Sequence, residues 1–372
     1  MLNPPNPNPR PPTPGRILRR AVVLAATTLC LTLILTACCG SCPEGDGDHK
    51  ARHLDPESVS TAPEERADGS VILSKPGSGS HLLTSDAKYL YWASGFRESA
   101  QVLRVPKKGG KTRSVAELSD NVTAILPDKD EVYISTWGGI ISAPRAGGAP
   151  RTITDGVRNV YAMTMDAKYL YYCASPGIHR IKKTGGTPKK LVDTERCLVA
   201  NLGVHDGQLY WIDNNTKAIA RLPVAGGKGE VFASDIFPSS GKPILFQDGY
   251  AYFYRDISTA FLRKKLDGGE VEQIVKPRGF FTGFAVDDRY LYYGTGWANI
   301  GSNVEHRVGR RVYKSQGHKE GAGGVVRVPL AGGEPVVLSD LAGQVRGIAV
   351  DKKNVYWLDE DLGIIVKQPR RK

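Results

Sequence analysis

The chain has 372 residues, of which 41% are hydrophobic, and this is enough apolar material for a packed core and excludes a wholly disordered protein. Its 42 glycines and 24 prolines, against 3 methionines, are typical of many turns and short strands. The formal charge of +12 does not by itself indicate nucleic-acid binding, because the basic residues are spread along the chain at regular intervals and form no block. We therefore expect no nucleic-acid partner.

The first 37 residues have the charge pattern of a secretory signal peptide. A basic segment ending in GRILRR precedes the apolar residues 21–35, a stretch that is short for a membrane-spanning helix. The sequence LTAC, residues 35–38, resembles the lipobox of bacterial lipoproteins. This resemblance implies that Cys38 becomes the mature N-terminus and carries a diacylglyceryl thioether, with acyl chains such as palmitate that anchor the protein stably.

The expected location follows from that signal. The protein is exported and is held by its N-terminal lipid on a bacterial membrane, in the outer membrane on its periplasmic or surface face. An uncleaved N-terminal anchor helix is the alternative. The body is exported in either case.

Residues 38–68 are rich in charge, proline and glycine, and this composition predicts a flexible tether. Cys39 and Cys42 lie within it as a CxxC pair. Redox or metal chemistry at such a pair needs a folded scaffold, which the tether does not offer. We therefore divide the chain into a signal peptide (1–37), a lipidated cysteine with its tether (38–68) and a globular body (69–372).

The globular body contains seven copies of one short segment that align without gaps. They are DAKYLYW (86–92), DKDEVYI (128–134), DAKYLYY (166–172), HDGQLYW (205–211), QDGYAYF (247–253), DDRYLYY (287–293) and DKKNVYW (351–357). The copies start about 40 residues apart, except for a longer last interval, and this period indicates a β-propeller. Each unit predicts four short strands, with a Gly-Gly hairpin turn between the third and fourth.

The predicted fold class is all-β: a single propeller of four-stranded blades, seven in number, with six or eight as alternatives. The seventh unit stops one strand short of a complete blade. The segment DGSVILSKP, residues 68–76, matches the missing outer strand. We expect this N-terminal strand to complete the last blade and close the ring, which removes an exposed sheet edge.

The repeated pattern of LYW followed by I-x-R-x-P-x-x-G-G resembles the YWTD repeats of low-density-lipoprotein-receptor propellers and the wider TolB-like propeller group. The best matches are YWID (210–213) and YWLD (356–359), whereas the other copies drift and YWTD propellers have six blades. The resemblance covers residues 69–372 and implies a fold more than a function.

The repeated aromatic and basic residues are interpreted as structural. Aromatic residues that recur at one strand position are what packing between blades requires, and they are Tyr91, Tyr171, Tyr210, Tyr292, Tyr356, Trp92, Trp211 and Trp357. One arginine recurs along the third strands and is expected to pair with acids or water: Arg104, Arg180, Arg221, Arg263 and Arg327.

A binding site is expected on the face that carries the loops between strands two and three and the crossovers between blades. Aromatic residues fall in these loops outside the repeated positions, as binding anchors or as local packing: Trp137, Phe237, Phe280, Phe281 and Trp297. A polar loop insertion at 298–322 is predicted to be a partner-binding flap or a disordered segment, and its basic residues include Arg307, Arg310, Arg311 and Lys314.

Two cysteines of the body, Cys173 and Cys197, fall near the same rim, and in an exported protein we expect a disulfide between them, with two thiols as the alternative. No HExxH or GxSxG motif and no nucleophile beside a base is present, so no catalytic residue, metal ligand or cofactor is assigned.

The sequence thus favours a membrane-anchored, monomeric propeller that binds or scaffolds a protein or small-ligand partner. The alternative is a lactonase-like hydrolase or lyase, with a metal near the central channel held by acidic residues from different blades.

Overall fold

The computed structural model describes residues 55–370 except 78, 97–98, 158, 194–200, 238–241, 256–259, 278–280, 296–303, 309–310 and 316–322. All regular elements within this part of the chain are β-strands. No helix among these residues is long and apolar enough to cross a membrane. The predicted signal peptide and Cys38 lie outside the described residues.

Short strands follow one another along the whole described chain, beginning with β1 (Ser60–Glu65) and β2 (Val71–Ser74). Then follow β3 (Ser80–Ser85), β4 (Tyr89–Ser94), β5 (Ala100–Pro106), β6 (Arg113–Leu118), β7 (Val122–Pro127), β8 (Glu131–Thr136), β9 (Gly139–Pro144) and β10 (Arg151–Thr154). The middle of the chain forms β11 (Ala162–Met165), β12 (Tyr169–Cys173), β13 (Ile178–Lys182), β14 (Lys189–Val192), β15 (Leu202–His205), β16 (Gln208–Asp213), β17 (Ala218–Pro223) and β18 (Glu230–Ala233). The last part forms β19 (Leu245–Gln247), β20 (Tyr250–Arg255), β21 (Ala260–Lys265), β22 (Glu272–Pro277), β23 (Phe281–Val286), β24 (Tyr290–Thr295), β25 (Val304–Val308), β26 (Arg311–Ser315), β27 (Gly323–Pro329), β28 (Val336–Ala342), β29 (Val345–Val350), β30 (Asn354–Asp359) and β31 (Ile364–Pro369).

These strands form seven antiparallel sheets arranged as the blades of a ring. Blades 1 to 5 are built on β3–β6, β7–β10, β11–β14, β15–β18 and β19–β22, blade 6 on β23, β24, β27 and β28, and blade 7 on β29, β30, β31 and β2. The first strand of each blade lies at the centre of the ring, where neighbouring first strands such as β3, β7 and β29 contact one another. The chain is a seven-bladed β-propeller, as the sequence predicted.

The two faces of the ring are distinguished by their connections. We call the top face the one that carries the loops between second and third strands and the crossovers between blades. The bottom face carries the turns between first and second strands and the Gly-Gly turns between third and fourth strands. The predicted glycine pairs all have positive φ, for example 86° and 118° at Gly109 and Gly110, a conformation that glycine adopts without steric cost.

The ring is closed by an N-terminal strand, as predicted. Strand β2 pairs antiparallel with β31, with Val71 opposite Lys367 and Ser74 opposite Ile365. Leu73 is fully buried and packs in one cluster with Trp92 of blade 1 and with Tyr356 of blade 7. Closure therefore joins the first and last blades through one apolar interface as well as through backbone hydrogen bonds.

The structured body begins earlier than the predicted boundary at residue 69. Residues 60–65, which the composition placed in the tether, form β1 and pair with β2 as a fifth strand of blade 7. The backbone of β1 thereby satisfies hydrogen-bonding groups on the outer edge of β2 that would otherwise face water. Composition did not show this, because edge strands tolerate the charged residues and proline that indicate a linker.

The insertion in the sixth unit also differs from the predicted polar loop. Within residues 298–322 it contains the hairpin β25–β26, and β25 pairs with β22 of the preceding blade, with Lys276 opposite Arg307 and Pro277 opposite His306. The sheet of blade 5 thus has six strands. Valine and tyrosine residues in this segment, Val304, Val308, Val312 and Tyr313, suit a strand, and the outer edge of blade 5 offers it a partner.

The core lies between the blades. Each apolar cluster joins neighbouring sheets; one, for instance, combines Tyr91 and Val102 of blade 1 with Val132 and Ile134 of blade 2. The repeated tyrosines and tryptophans are buried in these clusters, as the sequence predicted, with exposures between 0% and 6%. Packing between neighbouring sheets explains why one strand position is aromatic in blade after blade.

One aspartate in the turn between first and second strands recurs as a polar link between blades. Asp351 accepts hydrogen bonds at Oδ1 from the amides of Lys353 and Asn354, both at 2.9 Å, and at Oδ2 from the hydroxyl of Tyr356 at 2.9 Å. Lys107 of the next blade donates to the same Oδ2 at 3.1 Å. The same inter-blade cation link is made by Arg145 to Asp86 (3.0 Å), Lys183 to Asp128 (2.8 Å) and Arg370 to Asp287 (2.8 Å).

The recurring arginines of the third strands make a second link. Arg180, Arg221 and Arg263 donate to backbone carbonyl oxygens of the next blade, at Val224, Leu266 (2.9 Å) and Leu330 (3.1 Å). Arg221 and Arg263 also pair with Glu230 and Glu272 of their own blades. At Arg221 and Arg263 the expected pairing with acids is therefore accompanied by a backbone contact between blades.

We expect Leu73→Ala to lower the free energy of unfolding by about 2–5 kcal/mol, because it leaves a cavity in the interface that closes the ring. Leu362→Ala is the matched control, since Leu362 is 49% exposed and should cost well under about 1 kcal/mol. Urea unfolding followed by circular dichroism measures both. Equal effects of the two substitutions would contradict the closing role of β2.

We expect Asp351→Asn to cost about 1–3 kcal/mol at pH 7 by weakening charge-assisted hydrogen bonds. Burial tends to raise the pKa of Asp351, but the amides of Lys353 and Asn354, the Lys107 ammonium and the Tyr356 hydroxyl outweigh it, and the pKa lies below its ordinary value. The stabilisation is therefore complete above the unfolded-state pKa of 3.8 and is lost as the pH falls through the folded pKa.

The stability difference between wild type and Asp351→Asn should accordingly be smaller at about pH 2 than at pH 6 in urea melts, with the loss falling below about pH 4. Asp130→Asn, an exposed substitution in the corresponding turn of blade 2, is the control and should change little at either pH. A constant difference across that range would show that Asp351 does not stabilise the ring through its charge.

Candidate functional site

Three large apolar side chains are exposed on the top face in three consecutive blades. They are Leu362 of blade 7 (49% exposed), Phe96 of blade 1 (53%) and Trp137 of blade 2 (49%), and each lies in the loop between second and third strands. We call these three residues the apolar arc. A large apolar side chain that stays exposed on a loop of this kind is available for burial against another molecule.

Two residues of the apolar arc lie in loops that are fixed by a carboxylate. The buried carboxylate of Asp359 accepts from the amide of Leu362 at 3.1 Å and from that of Gly343 at 2.6 Å. Beside Trp137, the amide of Gly138 donates to Asp120 at 2.6 Å. Burial raises the pKa of Asp359 above its ordinary value, against the opposing effect of the two amides.

Phe96 is supported from below by a histidine. The rings of Phe96 and His81 stack with centroids 4.9 Å apart and planes at 3°. Burial lowers the pKa of His81 despite hydrogen bonds to the backbone of Gly79 and Val122, so the ring is neutral at pH 7. A neutral imidazole can stack as an aromatic surface without the desolvation cost of a charge.

The elements that carry the apolar arc are linked by contacts from blade 7 to the start of blade 2. The amide of Gly77, in the crossover from blade 7, donates to the carbonyl of Gly363 beside Leu362 at 3.1 Å. In the same crossover, a Cβ on Gly79 would lie 3.8 Å from the Phe96 ring. His81 then reaches the backbone of Val122, at the start of blade 2.

Charged groups border the arc on the side of the central channel. Arg346, on the first strand of blade 7, donates to Glu360 at 2.5 Å, and Glu360 lies two residues before Leu362. An apolar centre with a polar rim is the common anatomy of a protein-binding surface.

The central channel opens beneath this face as a cavity of about 310 Å³, and its lining comes from the inner strands and the segments that lead into them. Its walls are mostly apolar, including Met163, Leu202 and Phe284, and its polar side chains are Thr84, Thr123, Asn201, Arg346 and Tyr161. The described lining residues include no carboxylate, imidazole or thiol, the ligands that a divalent metal takes from proteins. This donor set does not fit a metal centre.

Elsewhere in the described part of the chain, no group of three or more His, Cys, Asp or Glu side chains is arranged to hold a metal ion. The lactonase-like alternative therefore has no candidate ligand set among these residues. We derive no catalytic step from the channel.

The predicted binding residues are distributed unevenly. Trp137 is exposed as expected, and Phe237 is half-buried with the Lys217 ammonium 4.6 Å from its ring centroid. Phe281 is only 6% exposed and packs against Phe261 and Tyr293, so it belongs to the core and is not a surface anchor. It is the first residue of the inner strand β23, one position past the loop in which the sequence placed it.

The remaining predicted positions are outside the described side chains. Phe280, Trp297 and Arg310 lie outside the described residues, and Arg307, Arg311 and Lys314 are placed by backbone alone in β25 and β26. Cys173 is buried and disulfide-bonded. Its predicted partner Cys197 lies outside the described residues, so that pairing stays a prediction.

Sequence reasoning missed Phe96, Leu362 and His81. The signal that selected Trp137, an aromatic residue outside the repeat in a loop between second and third strands, applies equally to Phe96. Leu362 carries no such signal, because a single leucine in a turn is common and its exposure depends on the loop conformation.

No protein-family model matches the chain, and no curated protein matches its sequence. Solved structures do match the fold. The computationally designed Ika8 protein aligns with 80% of this chain and 98% of its own at 12% identity and a TM-score of 0.58. Streptogramin B lyase aligns over 80% and 95% at 14% identity and a TM-score of 0.54. BamB from Moraxella catarrhalis aligns over 86% and 98% at 16% identity and a TM-score of 0.48. Identities this low show a shared fold alone.

Proposed function

We propose that this chain is a cell-envelope lipoprotein whose propeller is a binding scaffold for a protein partner, and that the partner binds at the apolar arc. The observation that carries the proposal is the placement of Leu362, Phe96 and Trp137 on the same face of three consecutive blades. Aromatic residues on a preorganised surface lose little side-chain entropy on binding, which favours them as anchors.

The proposed anchor is a lipid on Cys38, supported by the lipobox-like LTAC that follows a basic and an apolar segment. The body is then held at a bacterial membrane by two or more acyl chains, enough for stable attachment. We further propose that the repeats belong to the YWTD-like class and that the propeller is monomeric.

Other predicted positions extend this proposal beyond the arc. Phe237 shares the top face, and Phe280 and Trp297 are proposed to bind the partner as well. The basic residues of the β25–β26 segment are proposed to form a second contact for the partner at the edge of blade 5: Arg307, Arg310, Arg311 and Lys314.

We expect the double substitution Phe96→Ser, Trp137→Ser to lower partner affinity at least about 30-fold, since truncation of one anchor typically costs about 2 kcal/mol or more. The matched control is Val231→Ser, Val336→Ser, which removes two exposed apolar side chains outside the arc, 61% and 40% exposed. Crosslinking in the native envelope, with mass spectrometry of the captured protein, compares the variants. Thermal melts establish that both remain folded.

The prediction is specific to the arc. A partner that crosslinks equally to both double variants and to wild type would show that the arc is not the binding surface. Loss of the crosslinked partner from the control variant alone would indicate that the binding site lies on the outer strands.

We expect the mature protein to begin at Cys38 and to carry the mass of a diacylglyceryl group and an amide-linked acyl chain. Cys38→Ser should abolish this mass and leave the precursor uncleaved, whereas Cys39→Ser, the adjacent control, should leave processing unchanged. Intact mass spectrometry of the membrane fraction measures both. An unmodified N-terminus at Met1 would contradict the anchor.

A further inference from the structure

The turns of the bottom face divide by charge into two halves. In blades 7, 1, 2 and 3 the cations outnumber the acids about two to one: Lys88, Lys107, Lys108, Lys111, Lys129, Arg145, Lys168, Lys183, Lys352, Lys353 and Arg370 against Asp86, Asp128, Asp130, Asp166 and Asp351. In blades 4, 5 and 6 the acids predominate: Asp206, Asp248, Asp267, Glu270, Asp287, Asp288 and Glu334 against Lys228 and Arg289. We call the first group of turns the basic half.

The charges of the basic half that are left unpaired are mostly positive. Asp86, Asp128 and Asp351 are only partly exposed, and each is already paired with a cation of the neighbouring blade. The lysines at 88, 108, 129, 168 and 352 are exposed and form no ion pair with another described residue. Their charge is therefore directed to whatever faces the bottom of the ring.

The N-terminal end of the described chain lies beside the same region. Glu57 pairs with Lys111 in the Gly-Gly turn of blade 1. Pro63 packs so closely on Gly109 of that turn that a Cβ there would lie 2.5 Å from its ring. The segment that leads back to the proposed lipid anchor thus leaves the propeller next to the basic half.

Little chain separates this exit from the membrane. Between Cys38 and the first described residue lie residues 39–54, whose composition predicts a tether. A flexible chain of that length has a mean end-to-end distance of roughly 20–24 Å. At such a range the face beside the exit is repeatedly brought within the screening length of about 8 Å at physiological salt, where an anionic surface attracts basic residues.

We propose that the basic half of the bottom face binds the anionic headgroups of the bilayer that holds the lipid anchor. The top face, with the apolar arc, is then turned away from the membrane and toward the partner. This inference rests on the proposed lipid anchor, and it adds to that anchor a defined orientation of the propeller.

The test is lysine footprinting of the full chain on phosphatidylcholine vesicles prepared with and without phosphatidylglycerol. Acetylation of Lys352 and Lys353, read by mass spectrometry, should fall about five-fold on the anionic vesicles and recover at high salt. Lys217, exposed on the top face, is the internal reference and should react equally on both.

Charge reversal sharpens the test. The variant Lys108→Glu, Lys129→Glu, Lys168→Glu should lose the protection of Lys352, while Lys228→Glu, Lys265→Glu, exposed substitutions in the other half, should keep it. Equal reactivity of Lys352 on both kinds of vesicle, or protection of Lys217 in its place, would overturn the inference. Protection by a DNA duplex and not by anionic vesicles would overturn it as well, in favour of a nucleic-acid surface.

The fate of the anchor is read separately in the same sample. Intact mass reports the lipid on Cys38. If the chain is lipidated but its lysines react equally on both kinds of vesicle, the proposed orientation is wrong and the proposed anchor is supported. If the chain carries no lipid but its lysines are still protected, the proposed anchor is wrong and the basic half is still a membrane-binding face.

Discussion

The propeller depends on a carboxylate that serves two blades at once. In the turn that follows a first strand, one oxygen of the aspartate accepts the backbone amides of its own turn and the other accepts the tyrosine hydroxyl of the second strand, at 2.7 Å between Tyr292 and Asp287. The second oxygen also pairs with a cation of the next blade, which for Asp287 is Arg370. The same group therefore fixes the turn, the tilt of the second strand and the angle between blades.

Where the next blade offers no cation, the ring has a different link, which blade 3 makes from Arg180 to the carbonyl of Val224. Blades 4 and 5 have His205 and Gln247 at the position of the aspartate, and the next blades offer Leu266 and Leu330 where a cation stands elsewhere. There the third-strand arginine donates to the backbone carbonyl of that leucine instead. A carbonyl accepts a guanidinium whatever the side chain, so the ring tolerates divergence of this position without losing its inter-blade contact.

The fold was predictable because its determinants repeat. Seven copies of one segment, the glycine pairs and the strand at 71–74 that lacks a blade of its own are visible without coordinates, since a propeller buries the same position in every blade. Strands that attach to a finished sheet were not predictable. Strand β1 and the β25–β26 hairpin belong to no repeated pattern, and each attaches to an outer edge whose availability depends on the completed blade.

The candidate site was predictable only in part, for the opposite reason. Trp137 could be selected as an aromatic residue outside the repeat, but the same criterion also selected Phe281, which the strand carries into the core. A shift of one residue between loop and strand decides whether an aromatic side chain is an anchor or packing, and element boundaries are what sequence patterns fix least well. That Phe96, Leu362 and Trp137 are exposed on linked elements of one face depends on contacts between loops of different blades, which have no sequence signature.

The distribution of charge shows how a repeat fold changes the meaning of a sequence pattern. Basic residues spaced at regular intervals are ordinarily the sign of a uniformly solvated surface, but in a propeller one repeat length returns the chain to the same face of the ring. Regular spacing, as at Lys88, Lys129 and Lys168, therefore concentrates charge in space while it disperses charge along the chain. The apolar arc follows the same rule, since Phe96 and Trp137 lie in equivalent loops one repeat apart, so that residues far apart along the chain become a property of one face.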